Sequence, residues 1–323
     1  MSDLPKFVEV HEEGPRDGLQ IEKTFIPTEA KIKFIEALSE TGLKEMQVTS
    51  FVRPDLVPQM ADAEDIAARF TPKTGVRYTV LYLNEKGLLR ALATHKFDIK
   101  GYLSLTASEA FCKRNINKTI QENINMLPNW IKIFKDNHVP IKGGGIMAAF
   151  GCNFEGDVPL DRVVHLIQVF EDLSKAYDFP LQSVSLADTM GWANPEQIKR
   201  VMGAVRSRWP EVHFSLHLHD TRGTGLANVY AGLQMGIDTF DACVGGLGGC
   251  PFAGHAGASG NVCSEDVVFM CREMGIETGI DLDRLIDCAK MAEALVGHPL
   301  PGKVMKGGNL RKYREAAVLA RNA

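Results

Sequence analysis

The chain has 323 residues, 45% hydrophobic and 24% charged, a balance that suits one large packed domain and argues against a disordered or fibrous protein. Lysine and arginine number 36 against 40 aspartates and glutamates, a formal charge of −4 with no long basic block, so nucleic acid is not an expected partner and a polyanionic ligand must be met by local positive charge. The start, Met1-Ser2-Asp3-Leu4-Pro5-Lys6, lacks an apolar signal segment, no stretch resembles a membrane span, and seven scattered cysteines without Cys-x-x-Cys argue against a disulfide framework or zinc knuckle; together these read as a cytoplasmic protein without a membrane partner.

From the N-terminus onward, short β-branched or apolar runs alternate with amphipathic stretches. The spacing predicts a strand over 7–12 and a helix over 28–41, opened by Pro27-Thr28. Strands over 45–51, 77–83, 98–105 and 145–150 are followed by helices over 63–70, 85–95, 116–137 and 160–177. The second half repeats the unit with strands 183–187, 213–219 and 239–244 and helices 195–208, 223–235 and 265–274. A last helix over 281–295 is expected beneath or beside the rest, and the tail with Pro299, Pro301, Gly302, Gly307 and Gly308 has no clear pattern. Eight such units predict an α/β fold of the (β/α)₈ TIM-barrel type; an open doubly wound sheet more often has fewer strands and a nucleotide-type glycine loop after the first. Residues 1–323 then form a single domain, barrel over about 7–275, with a C-terminal helical extension and tail over about 281–323.

In such barrels the chemistry sits at the C-terminal ends of the strands. Polar residues cluster there in this chain: Glu13-Gly14-Pro15-Arg16-Asp17-Gly18-Leu19-Gln20, Gln47-Val48-Thr49-Ser50-Phe51, Asp188-Thr189-Met190-Gly191, His217-Leu218-His219-Asp220 and Gly245-Gly246-Leu247-Gly248-Gly249-Cys250-Pro251. Gly-Pro and Gly-Gly mark turns in any case, but complementary polar groups on five strand ends are harder to read as turns alone. The run around His217-Leu218-His219 alternates like a strand, and a period of two points both imidazoles to one side, half of a metal site. A lone His-x-His also occurs on surface strands without chemistry. Asp17 and the amide oxygen of Asn261 would complete a mixed nitrogen and oxygen set with open positions, which reads as catalytic rather than structural because it holds no cysteine. Taken alone, Asp17 reads more readily as a turn or helix-cap residue. Arg16 beside it offers a guanidinium for a developing oxyanion, and Cys250, in a glycine-rich loop, a thiol that could serve as general acid or base.

The segments Gly14-Pro15-Arg16-Asp17-Gly18-Leu19-Gln20, Thr49-Ser50-Phe51-Val52, Val57-Pro58-Gln59-Met60, Asp188-Thr189-x-Gly191, His217-x-His219-Asp220-Thr221 and Gly245-Gly246-Leu247-Gly248-Gly249-Cys250-Pro251-Phe252-Ala253 resemble the 3-hydroxy-3-methylglutaryl-CoA lyase family of the DRE-TIM metallolyase superfamily, from about Val8 to about Val296. The glycine-rich cysteine loop separates the lyases from related isopropylmalate and homocitrate synthases. The resemblance implies magnesium or manganese held by Asp17, His217, His219 and Asn261, and an acyl-CoA substrate cleaved to acetyl-CoA and a ketoacid. It implies catalytic roles for Arg16, which would stabilise the enolate, for Cys250, which would move protons, and for Asp188, which would orient its neighbours. Gln20, Lys23, Gln47, Thr189 and His255 fall around the site as substrate-binding or supporting residues, although Lys23 reads equally as an ordinary solvated lysine. Arg53, Lys113 and Arg114 are candidates for the CoA phosphates, and a homo-oligomer is compatible, since barrels of this kind often pair.

The match breaks in places. The family carries a glutamate where this chain has Gln47, a change that removes a charge and replaces an acceptor oxygen by an NH₂ donor. The stretch from Cys250 to Asn261 is about two residues longer than the lyase pattern, with His255 inserted as a further proton carrier or merely part of a flexible tip. The tail also departs from the family. These departures leave the acyl group open: citramalyl-CoA or a longer branched 3-hydroxyacyl-CoA needs the same bond cleavage. An acetyl-CoA-dependent condensing enzyme and an impaired acyl-CoA- or metal-binding barrel are the competing readings.

Overall fold

The alternating pattern closes on itself in the computed structural model, which describes residues 4–249 and 260–322. Its main strands are β1 (Glu9–Glu12), β2 (Glu45–Ser50), β3 (Arg77–Leu81), β4 (Gly101–Thr106), β5 (Ile141–Met147), β6 (Ser183–Ala187), β7 (His213–His217) and β8 (Thr239–Ala242). They pair in parallel in the order β3-β2-β1-β8-β7-β6-β5-β4. First and last strands are neighbours, Val10 opposite Phe240. At the remaining seam the Asp98 N–H donates to the Tyr78 carbonyl and the Tyr82 hydroxyl to the Lys100 carbonyl, both at 2.8 Å.

Helices α1 (Thr28–Ser39), α2 (Ala63–Arg69), α3 (Glu85–Ala93), α4 (Glu109–Ile116), α5 (Ile120–Asp136), α6 (Leu160–Ala176), α7 (Pro195–Arg208), α8 (Gly225–Gln234) and α9 (Ser264–Glu273) fill the connections, and α10 (Leu282–Val296) follows. Alternate strand residues, among them Val10, Met46, Val48, Leu103, Leu105, Val184, Leu186, Phe214 and Phe240, are buried with Phe34, Ile35, Leu166, Ile198 and Val229 of the helices in one core. Each such side chain contributes about 1.5–3 kcal/mol on burial, which holds the strands at fixed heights around the ring. The intervening residues, including His11, Gln47, Ser185, Ser215, His217 and Asp241, turn to the other face and are only partly buried. The barrel interior is therefore polar, where branched aliphatic residues usually fill it.

Three local readings differ from the pattern. Strand β5 begins at Ile141, not 145, because Gly143 and Gly144 are not turn residues: a Cβ on Gly143 would lie 1.8 Å from the Ser183 carbonyl oxygen, and one on Gly144 2.6 Å from the Phe170 ring. The helix expected over 116–137 starts only at Ile120, where Thr119 with Glu122 forms a capping box, and an unexpected helix α4 precedes it, ended by Asn117 at a left-handed φ of 55°. The tail folds into α11 (Val304–Gly307) and α12 (Arg311–Asn322), anchored where the Asp266 carboxylate accepts the Val304 N–H at 2.7 Å and the Gly245 carbonyl accepts the Gly302 N–H at 3.2 Å. Among the described residues no helix is long and apolar enough to cross a membrane.

Candidate active site and metal centre

After β1 the chain makes a wide π-helical turn, Gly14–Gly18, that carries Arg16 and Asp17 onto the C-terminal rim. Glu12, fully buried, holds this turn against the end of β8: its carboxylate accepts the Gly14 N–H at 2.7 Å, the Val244 N–H at 2.9 Å and the Ser264 hydroxyl at 2.5 Å. Across the rim β7 ends at His217, and the chain leaves the ladder so that His219 bridges to Asn261 in antiparallel fashion.

Ligand atoms of Asp17, His217 and His219 come within 4.8 Å of one another. The two imidazole Nε2 atoms are 3.2 Å apart, while His217 Nδ1 lies 3.3 Å from Asp241 Oδ2. A proton on Nδ1 is thus directed at Asp241, which turns Nε2 toward the centre, the usual arrangement of an orienting carboxylate behind a ligand imidazole. Asn261 donates its Nδ2 to Asp17 Oδ2 at 2.7 Å and to the Leu247 carbonyl at 3.2 Å, and its buried Oδ1 has no partner among the described residues. An unmet buried acceptor costs about 1–3 kcal/mol, and here it accompanies two imidazole nitrogens and a carboxylate. This donor set fits a divalent cation.

The electrostatics agree with that fit. Burial pushes His219 down to about 3, aided by the neighbouring His217, so its imidazole is neutral with a lone pair to give. Burial alone would raise the Asp17 carboxyl, but Arg16 and the two imidazoles hold it below its ordinary value. His217 is pushed up to about 9: burial opposes this, and Asp241, Glu13 and Asp17 outweigh it. Proton and metal ion compete for the same nitrogens, as at any such ligand set.

Arg16 is buried and held on three sides. Nη1 donates to Asp17 Oδ1 at 2.6 Å, Nη2 to the Glu13 carboxylate and Nε to Gln47 Oε1. Gln20 donates to Asp17 Oδ1 at 3.3 Å. Asp188 lies one step back: its carboxylate accepts the Trp192 and Ala193 N–H groups at 2.7 and 3.1 Å, and its own N–H donates to the His217 carbonyl at 2.8 Å. It supports the end of β7 through the backbone, and burial pushes its carboxyl up to about 6. Thr189 accepts the Ala148 N–H at 2.8 Å and ties the β5 and β6 ends together. Lys23 is exposed and not among the groups brought to the centre. Arg53 pairs with Asp55, Lys113 reaches the Asn117 carbonyl at 3.4 Å, and Arg114 lies 4.1 Å over the Phe154 ring. Cys250 and His255 lie outside the described residues.

Sequence reasoning missed Glu12 and Asp241, and placed Glu13 in the polar run after the first strand without giving it a role. Asp241 sits on β8 at an inward-facing alternate position, and an acidic residue inside an otherwise apolar strand was a signal for it. Glu12 and Glu13 look like ordinary turn-flanking acids until the strand register is known.

A parallel (β/α)₈ barrel with a carboxylate and two imidazoles converging on its C-terminal rim, the carboxylate bonded to the Asn261 amide, defines a class: barrel enzymes that work through a divalent cation. Residues 7–292 match the HMGL-like family, and the chain belongs to it. It is 40% identical over 299 residues to the hydroxymethylglutaryl-CoA lyase of Bacillus subtilis, covering 93% of this chain and 96% of the relative. The crystal structure of the Bacillus subtilis HMG-CoA lyase superposes with a TM-score of 0.84 at 40% identity, covering 94% of this chain and 98% of that one. An HMG-CoA lyase from Acinetobacter baumannii, in complex with coenzyme A and 3-methylmalate, gives a TM-score of 0.84 at 38% identity over 96% and 97% of the two chains.

Proposed function

We propose that this chain is a divalent-cation-dependent carbon–carbon lyase that cleaves 3-hydroxy-3-methylglutaryl-CoA to acetyl-CoA and a ketoacid. The observation that carries the reading is the meeting of Asp17 with Asn261, 244 residues away, beside the paired imidazoles, with the Asn261 amide oxygen unpartnered among the described residues. Such a set holds a cation between protein and substrate oxygens.

In the reaction the C3 hydroxyl loses its proton, the C2–C3 bond breaks, its electron pair passes to the thioester carbonyl, and C2 takes a proton to give acetyl-CoA. A bound magnesium or manganese ion would supply Lewis-acid polarisation of the substrate's hydroxyl and carboxylate oxygens. Arg16, locked by Glu13, Asp17 and Gln47, keeps further N–H donors for the enolate oxygen, where charge develops. Because it is already oriented, it need not reorganise as that charge appears. Cys250 is read, on the family resemblance alone, as the group that moves the proton at C2. The acyl-CoA reading draws support from the coenzyme A bound to the Acinetobacter relative.

Gln47 favours a second reading of the same site, in which the acyl group is that of citramalyl-CoA or a longer branched 3-hydroxyacyl-CoA. The test is a manganese- or magnesium-supplemented assay across a panel of 3-hydroxyacyl-CoA thioesters with acetyl-CoA release as readout, run also with acetyl-CoA and ketoacids. Fastest release from hydroxymethylglutaryl-CoA, abolished by chelator, is the expected result. Stoichiometric manganese without cleavage of any thioester would instead identify a binding barrel, and net condensation a synthase.

A further inference from the structure

Arg16 and a divalent cation would both draw on the Asp17 carboxylate, since Asp17 Oδ1 already accepts from Arg16 at 2.6 Å. A guanidinium whose sole anionic partner is a metal ligand weakens that ligand, so the site needs a second anion on Arg16. Gln47, which accepts from Arg16 Nε, is neutral. Glu13 is the anion at hand: its carboxylate takes Arg16 Nη2 and lies 4.0 Å from His217 Nδ1, with its side chain only 11% exposed. Strand register explains how it arrives there. β1 pairs with β2 through His11 opposite Glu45 and Glu12 opposite Met46, and the residues that follow, Glu13 immediately past the end of β1 and Gln47 on β2, take Arg16 Nη2 and Nε respectively.

We propose that Glu13 is a positioning residue for Arg16 and for the cation site, supplying beside the neutral Gln47 the second anion that the guanidinium needs. The inference rests on the lyase reading for its kinetic part only; the cation part stands without it. Glu13 spares Asp17 for the metal ion, fixes the face that Arg16 presents to the enolate oxygen, and adds negative charge behind His217.

The experiment is a swap. Manganese affinity is measured by titration calorimetry on Glu13→Gln, on Gln47→Glu and on the double variant, with kcat and KM for hydroxymethylglutaryl-CoA and Tm alongside. Glu13→Gln is expected to weaken manganese binding and lower kcat, each by about tenfold or more, with KM and Tm changing little. Adding Gln47→Glu places a carboxylate oxygen where an amide oxygen already accepts from Arg16 Nε, and should return both quantities to within about threefold of the starting protein. Manganese affinity and kcat both unmoved in Glu13→Gln would overturn the proposal, as would a double variant that recovers neither. If Glu13→Gln does not fold, Glu13→Asp keeps the charge but shortens its reach, and its loss should likewise be reversed by Gln47→Glu. A starting protein that cleaves no thioester, yet whose manganese affinity follows this series, would remove the lyase reading and leave the positioning role of Glu13 standing.

Discussion

At the N-terminal mouth of the barrel Glu9, His11 and Glu45 come within 4.8 Å of one another, as close as Asp17, His217 and His219 do at the C-terminal mouth. Both ends also have an arginine and further carboxylates, and the N-terminal end encloses a cavity of about 420 Å³ lined by Glu9, His11, Arg77, Tyr102 and His213 among others. The difference lies in what remains unanswered. Arg77 pairs with both Glu9 and Glu45, and His213 with Asp238 at 2.7 Å. His11 is pushed up to about 10, burial opposing and Asp241 and Glu9 outweighing it, so its charge is answered inside the cluster. At the other mouth His219 is neutral, and among the described residues Asn261 Oδ1 has no donor. Proximity of ligand types is thus a poor guide to a metal centre; unmet donors mark it. The N-terminal cluster is a closed ionic network of the kind that serves stability at this face of such barrels.

Substitutions at the two mouths should therefore separate function from stability. His219→Ala is expected to have the largest effect, abolishing manganese binding in calorimetry and lowering turnover by more than the about 100-fold that loss of an outer supporting residue costs. Retained stoichiometric binding would break the assignment of the C-terminal centre. Arg16→Gln should lower kcat by about 10²–10³ with a much smaller change in manganese affinity, because its partner is charge that develops in the transition state. Asp241→Asn joins the two regions, since Asp241 contacts both His11 and His217. Weakened manganese binding by about 10–100-fold would show that the interior carboxylate acts on the upper centre through His217. An effect on Tm alone would assign it to the lower network.

The smallest effect is expected at His11 and depends on pH. Its folded value of about 10 lies above the ordinary 6.5, so its pairing contributes stability that is fully present below pH 6.5 and lost as the pH rises through 10. His11→Gln should flatten that alkaline decline in a Tm-against-pH series and disturb manganese binding less than Asp241→Asn. A decline of unchanged slope would mean that another group carries it.

Much of the fold was legible because its signals are local. Helix α7 runs over the predicted residues because Asn194 caps it, accepting the Gln197 N–H at 3.0 Å, and Pro195 opens its first turn. Gly143 and Gly144 misled because close approach of two strands and a turn both call for glycine, and only the Ser183 carbonyl beside them tells which. At the site, alternation supported only the shared side of the two histidines; Asp17 and Asn261 were candidate partners by donor chemistry at the strand ends, and motif resemblance implied the four as one ligand set.

By itself the sequence determined the eight alternating units, the apolar stripe each turns to the helices, and the rim on which the polar strand ends gather; these follow from residue period and capping chemistry within a few neighbours. Only the tertiary structure decided that Glu13 meets Arg16 beside Gln47, that Asp241 stands between His11 and His217, and that Asn261 gives its N–H to Asp17 with its oxygen unpartnered among the described residues. Those contacts depend on which residues of adjacent strands share a height and on β1 lying against β8. A barrel sets both through long-range register, which no short stretch of chain encodes.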